Sequence, residues 1–206
     1  MPFSFVSRML TMAAKVVTVR RATTRPAPRA LRERSKGRLI LVIGGAASGK
    51  SQAALELAGN ARPRAFVATG QALDREMAER IRRHRAARSS DWETAEVPLN
   101  VAEWFRTYGG RYRAIVLDCL TLWLSNSQGA RATGPRALVK VEELLRAIRT
   151  TKARVIVVTN ELGLGLVPVN ASVRAFRDLA GRINQQVAME ADEVYFVVSG
   201  QRLRIK

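Results

Sequence analysis

Along the chain, short runs of consecutive apolar residues alternate with stretches in which apolar positions recur every three or four residues. Leu39-Ile40-Leu41-Val42-Ile43 is a continuous apolar run of the kind buried on both faces of a parallel sheet. A glycine-rich turn follows, and then a helical stretch over about residues 50–59. Residues 65–68, 114–117 and 155–158 predict three more buried strands. One helix is predicted over 74–88, with Leu73, Met77 and Ile81 on one face. Two more carry Leu138, Val141, Leu145 and Ile148, and Val173, Phe176, Ala180, Ile183 and Val187. The chain closes with 194–198, a Ser-Gly turn and 203–205, the pattern of a hairpin. This alternation implies an α/β fold: three layers around a mostly parallel central sheet, with an antiparallel hairpin at the C-terminal end.

A length of 206 residues suits one well-cored domain. The hydrophobic fraction is 47% and 25% of residues are charged, a globular balance. No apolar stretch is long enough to span a bilayer. With Cys119 as the one cysteine, there is no intramolecular disulfide and no thiolate cluster for zinc. A cytoplasmic setting is the expectation.

The net charge of +18 changes the picture only through its distribution. Residues 1–38 hold ten Arg or Lys against Glu33 alone, which is half the surplus. That segment has no sustained periodicity, and Arg8 and Lys15 interrupt every candidate signal core. It is expected to be a basic, disordered N-terminal extension without a catalytic part. The remainder lacks a basic stripe interleaved with aromatics, so its charge reads as a solvated surface with anionic small-molecule ligands and no nucleic acid. A nucleic-acid-binding module driven by the extension is the reading from a different class.

The turn after the first strand carries the chemistry. Gly44-Gly45-Ala46-Ala47-Ser48-Gly49-Lys50-Ser51 fits the phosphate-binding pattern G-x-x-x-x-G-K-[ST] without a mismatch. Glycines permit the tight turn, and successive N–H groups can point inward at a polyanion. The helix beginning there adds its positive end. Lys50 supplies a full charge to the terminal phosphates, and the Ser51 hydroxyl can ligate magnesium. The strand before and the helix after are the context a P-loop NTPase requires. Asp118, closing the strand over 114–117, fits the acidic partner for the metal. Glu161, just past 155–158, is a second carboxylate for that role or for a structural one.

His84 is the sole histidine, so any imidazole chemistry must use it. Helical spacing puts it near the Met77 face, where a half-buried packing role is the plainer account. Arg80, Arg82, Arg83, Arg85 and Arg88 surround it. These are either a solvated charge run or a clamp for a triphosphate that the ring attacks.

Further residues fall into a familiar order. Ala68-Thr69-Gly70-Gln71 precedes Asp74-Arg75-Glu76-Met77, Arg80-Ile81 and His84-Arg85, and then Trp92, Thr94 and Glu96. Asp118-Cys119-Leu120-Thr121-Leu122-Trp123-Leu124-Ser125-Asn126 and Thr159-Asn160-Glu161-Leu162-Gly163 come next, and Asn184-Gln185 follows. With these motifs, residues 39–206 resemble the bifunctional adenosylcobinamide kinase and adenosylcobinamide-phosphate guanylyltransferase family of cobalamin biosynthesis. The resemblance implies a P-loop kinase and guanylyltransferase domain over 39–206, using Mg2+ with GTP and ATP as substrates. It implies phosphorylation of adenosylcobinamide, then transfer of GMP from GTP through a guanylylated His84. It places nucleotide contacts at Gly44 to Ser51, at Ala68, Thr69 and Gly70, at Arg85, Ala86, Ala87 and Arg88, and at Glu96 and Asp118. A homotrimer is also implied. Two positions depart from the family pattern, which commonly has arginine at Ala47 and glutamate at Leu55. A P-loop kinase of another small hydroxylated substrate, with His84 merely structural, is the rival among enzymes.

Overall fold

Apolar runs with no polar face have to pair side by side between covering layers, and they do. The computed structural model describes residues 37–86, 88–128 and 134–206. The extension expected over 1–38 lies, up to residue 36, outside the described residues. The elements in chain order are β1 (Arg38–Gly44), α1 (Lys50–Ala58), β2 (Arg64–Ala68), α2 (Arg75–Ala86), β3 (Trp92–Glu96), α3 (Val101–Tyr108), β4 (Ala114–Asp118), α4 (Leu120–Gln128), α5 (Gly134–Thr150), β5 (Arg154–Asn160), α6 (Ala171–Glu190), β6 (Glu193–Val198) and β7 (Gln201–Arg204). The strands form one sheet in the order β3-β2-β4-β5-β1-β6-β7. The first six are parallel, and β7 runs antiparallel to β6, as the terminal hairpin pattern required.

The two-residue side-chain period divides the core cleanly. Leu39, Leu41, Ile115, Leu117, Val155 and Val157 face one layer, built from α3, α4, α5 and α6. Ile40, Val42, Val116, Ile156 and Val158 face the other, where α1 packs through Ala53, Ala54 and Ala58. Alanine on that face lets α1 lie close to the sheet. No helix among the described residues is long and apolar enough to cross a membrane.

Three elements escaped the sequence pattern, each for a physical reason. β3 is an edge strand of sequence Trp-Glu-Thr-Ala-Glu, with only Trp92 buried. α3 has eight residues, barely two turns of periodicity. α4 follows β4 almost directly, so its apolar residues read as a continuation of that strand.

One polar tie joins the layers below the strands. The Asp192 carboxylate accepts the Leu39 N–H at 2.7 Å and an Arg149 guanidinium N–H at 2.9 Å. Desolvation alone would raise its pKa, but the bonds from Arg149 and Leu39 outweigh it and hold the carboxyl below its ordinary value. A carboxyl more acidic folded than unfolded stabilises the fold above its unfolded pKa, and that contribution is lost as pH falls through the folded one. Asp192→Asn is therefore expected to lower stability at pH 7, with the gap to the parent shrinking as pH drops below the usual carboxylate range. Urea unfolding of both proteins at pH 7 and pH 3 measures this.

Candidate functional site

β1 delivers the chain to α1 on one face of the sheet, while the neighbouring β5 leads to α6 on the other. A crevice opens at the carboxyl ends of strands so arranged, and the glycine-rich turn sits there. Its shape depends on close backbone approach. A Cβ at Gly44 would stand 2.3 Å from the Val197 carbonyl oxygen, so only glycine fits beside β6. Gly49 adopts φ 93° at the start of α1, a left-handed conformation glycine takes without penalty. From the β6–β7 turn, the Gly200 N–H donates to the Ser48 carbonyl at 2.9 Å. The terminal hairpin thus braces the turn from outside. No side chain caps the N-terminus of α1, and its first turn has no acidic residue, which leaves its amides and partial positive charge for an anion.

The charged groups of the turn are organised around Asp118. Ser51 Oγ donates to Asp118 Oδ2 at 2.7 Å, and Lys50 Nζ donates to the Gly45 carbonyl at 2.6 Å. Burial pushes the Lys50 pKa down, Asp118 pulls it up, and the Arg80 charge adds to the depression. A polyanion would relieve that penalty. Glu161 is not part of this group: its carboxylate accepts the Gly163 N–H at 2.6 Å, closing its own loop.

Two cavities meet at Lys50. The larger, about 580 Å³, lies between α2 and the ends of β2, β3 and β4. Its walls include Ala46, Lys50, Ser51, Ala68, Gly70, His84, Arg85, Arg88, Glu96 and Asp118 of the expected site. The smaller, about 280 Å³, lies between α2 and the turn, with Ala47, Ser48, Gly49, Lys50, Ser51, His84 and Arg88 in its walls. Ala47 and Leu55, the two departures from the family pattern, both face this second cavity. Of the other expected contacts, Gly44, Gly45 and Ala86 line neither cavity. Thr69 is fully buried, and Ala87 lies outside the described residues.

Half-burial of His84 in an amphipathic helix does not hold. α2 has no buried residue, and His84 is exposed. With the sequence Arg-Glu-Met-Ala-Glu-Arg-Ile-Arg-Arg-His-Arg-Ala, the helix carries too little apolar surface to sink into the core. It walls a cavity instead, with Met77 and Ile81 turned into the larger space.

An aromatic that the sequence pattern marked only as part of a strand completes the walls. Phe66 lines both cavities, with the Arg88 guanidinium 3.8 Å from its ring centroid. Trp92 supports Phe66 edge-on from the neighbouring strand, and Thr94 and Glu96 follow at two-residue spacing on the cavity side. A strand-2 aromatic could be read only as core until α2 was seen to leave that face open. Cys119 also lines the larger cavity, but burial pushes its thiol pKa up to about 12, which rules out a thiolate nucleophile at neutral pH.

The remaining motif residues hold the floor in place. Thr69 Oγ1 accepts the Cys119 N–H at 2.9 Å and donates to the Cys119 carbonyl at 2.8 Å, locking β2 to the end of β4. Asn126 Nδ2 donates to the Thr69 carbonyl at 2.7 Å. Thr121, Thr159 and Asn184 form a buried chain, in which Thr159 Oγ1 donates to Asn184 Oδ1 at 2.8 Å and Asn184 Nδ2 to the Asn160 carbonyl at 3.0 Å. Satisfied buried networks of this kind are rigid, and here they fix Asp118 and Asn160 at the cavity.

The family described as cobinamide kinase / cobinamide phosphate guanyltransferase matches residues 40–205. The chain belongs to this family. It is similar to the bifunctional adenosylcobalamin biosynthesis protein CobU of Salmonella typhimurium, at 41% identity over 180 residues, covering 82% of the chain and 99% of that protein. The corresponding protein CobP of Pseudomonas aeruginosa is 39% identical over 171 residues, 81% of the chain and 96% of its own length. Among solved structures, the flagellar accessory protein FlaH from Methanocaldococcus jannaschii superposes with a TM-score of 0.51 at 14% identity, over 84% of the chain and 79% of that protein. That likeness shows the fold alone, and it agrees with the P-loop architecture. The chain is thus a P-loop enzyme of a bifunctional transferase family.

Removing Lys50 deletes one charge-assisted contact to phosphate, a loss of about 1.5–3 kcal/mol or roughly 10- to 100-fold in affinity. Lys50→Ala is expected to weaken nucleoside triphosphate binding by that factor in calorimetry while leaving the fold intact.

Proposed function

We propose that the chain phosphorylates adenosylcobinamide with a nucleoside triphosphate, GTP or ATP, and then transfers GMP from GTP to the resulting phosphate by way of a guanylylated His84. The observation that carries this reading is that the sole histidine lines both cavities together with Lys50 and Ser51. A nucleophile and a phosphate cradle that share walls can act on one substrate. With Cys119 held as a buried thiol, the imidazole is the nucleophile the cavity offers.

In the first reaction the turn binds the donor's β- and γ-phosphates through its amides and Lys50. The aminopropanol hydroxyl attacks the γ-phosphorus and gives up its proton, the bond to the β–γ bridging oxygen breaks, and the nucleoside diphosphate leaves. A cavity of about 580 Å³ suits a nucleotide and leaves the corrin ring outside, with only its aminopropanol arm reaching in. Phe66 and the Arg88 guanidinium stacked on it supply a flat wall for the base or ribose.

A hydroxyl and a carboxylate 2.7 Å apart are hard oxygen ligands, a donor set that fits magnesium. No group of three or more His, Cys, Asp or Glu side chains capable of holding a metal occurs among the described residues. Ser51 and Asp118 would hold the ion, with substrate phosphates and water completing its shell. Bound there, magnesium neutralises charge on the phosphate oxygens.

Incubation with GTP and magnesium should add one GMP to the intact mass of the protein, and the linkage should be acid-labile and alkali-stable. His84→Ala should show no adduct. If GTP leaves the mass unchanged while phosphoryl transfer to a small hydroxylated acceptor proceeds, the chain is a kinase with a structural histidine. The homotrimer implied by the resemblance would cover apolar side chains past β5, where Leu164, Leu166 and Val169 are 79%, 96% and 98% exposed. Light scattering should give three chain masses, and a monomer mass counts against the assembly.

A further inference from the structure

Arg80 has no role in the proposed transfers, yet its position is distinctive. It lies one helical turn before His84, so the two leave α2 on one side, and Arg88 follows two residues past the end of that helix. All three line both cavities, and Lys50 of the turn lines both from the other side. The smaller cavity has these three side chains and residues 47–52 among its walls. Arg80 and Lys50 thus border the same open space in both cavities. Two like charges aimed at one space are satisfied by a polyanion between them.

The identity of that polyanion rests on the covalent role of His84. In the first transfer the lone pair of a ring nitrogen forms a bond to the α-phosphorus of GTP. The bond from that phosphorus to the bridging oxygen breaks, and pyrophosphate leaves with the electron pair. In the second transfer an oxygen of the acceptor phosphate bonds to the same phosphorus, and the N–P electron pair returns to the ring, whose other nitrogen keeps its proton throughout. Both displacements are in line. The departing and the arriving groups therefore both lie across the phosphorus from the imidazole. Across from α2 stands the glycine-rich turn.

We propose that Arg80 and Lys50 form a single anion site that holds the departing pyrophosphate in the first transfer and then the phosphate of the acceptor in the second.

The test uses the full chain, guanylylated with GTP, desalted, and chased in parallel with pyrophosphate and with cobinamide phosphate. Arg80→Ala should slow both chases by a common factor of about tenfold or more, the loss of one charge-assisted anion contact. Arg80→Lys should restore part of both. Methylenediphosphonate, which cannot be consumed, should inhibit the acceptor chase competitively. Slowing of the pyrophosphate chase alone, or non-competitive inhibition, would overturn the shared site. Failure of the covalent role shows itself separately, as the absence of any adduct in the parent protein. In that event, calorimetry on the nucleotide-free protein still decides the matter. Pyrophosphate and cobinamide phosphate should exclude each other and both weaken in Arg80→Ala, and simultaneous binding overturns the proposal.

Discussion

The close approach of two backbones at the carboxyl end of β1 is the constraint on which the site depends. Gly44 runs against the Val197 carbonyl with no room for a Cβ, and Gly200 reaches over from the terminal turn to bond the Ser48 carbonyl. These contacts hold the glycine-rich turn as a fixed cup at the end of a strand buried on both faces. Because the cup is preformed, its amides and the uncapped start of α1 concentrate positive potential before any phosphate arrives. The hairpin that ends the chain is a brace for the phosphate site, although it is distant from it in sequence.

A rigid floor and a poorly anchored wall make up the rest. The floor is tied by satisfied polar bonds: Thr69 to the Cys119 backbone, and Thr121, Thr159 and Asn184 to one another. The wall is α2, a helix without a buried residue, whose contribution is charge and one imidazole. Elements with little buried apolar surface open and shift at low cost. Under the proposed covalent transfer this division is useful, since phosphates need a fixed cradle, while a nucleophile on α2 has to approach one phosphorus and later let a bulky acceptor reach it.

The two departures at Ala47 and Leu55 gain meaning from their placement. One belongs to the glycine-rich turn and the other to α1, yet they face the same small cavity beside Lys50 and His84. Small and apolar side chains there leave the cations of α2 without a carboxylate partner on the α1 side.

The phosphate cradle, the buried parallel strands and the terminal hairpin were legible in the order of residues. Each is a local matter: a glycine spacing, an apolar run, a two-residue turn. His84 is the one imidazole of the chain, but its part in group transfer was legible only through the resemblance to a family. Only the packing of distant elements made α2 stand away from the core and turn Arg80 and His84 toward the cradle, with Arg88 just past its end, and made Phe66 a cavity wall as well as a core residue. Helical periodicity reports which residues share a face, but what that face meets depends on strands far along the chain. The ordering β3-β2-β4-β5-β1, which brings Asp118 to Ser51 across 67 positions, arises only when those strands pair.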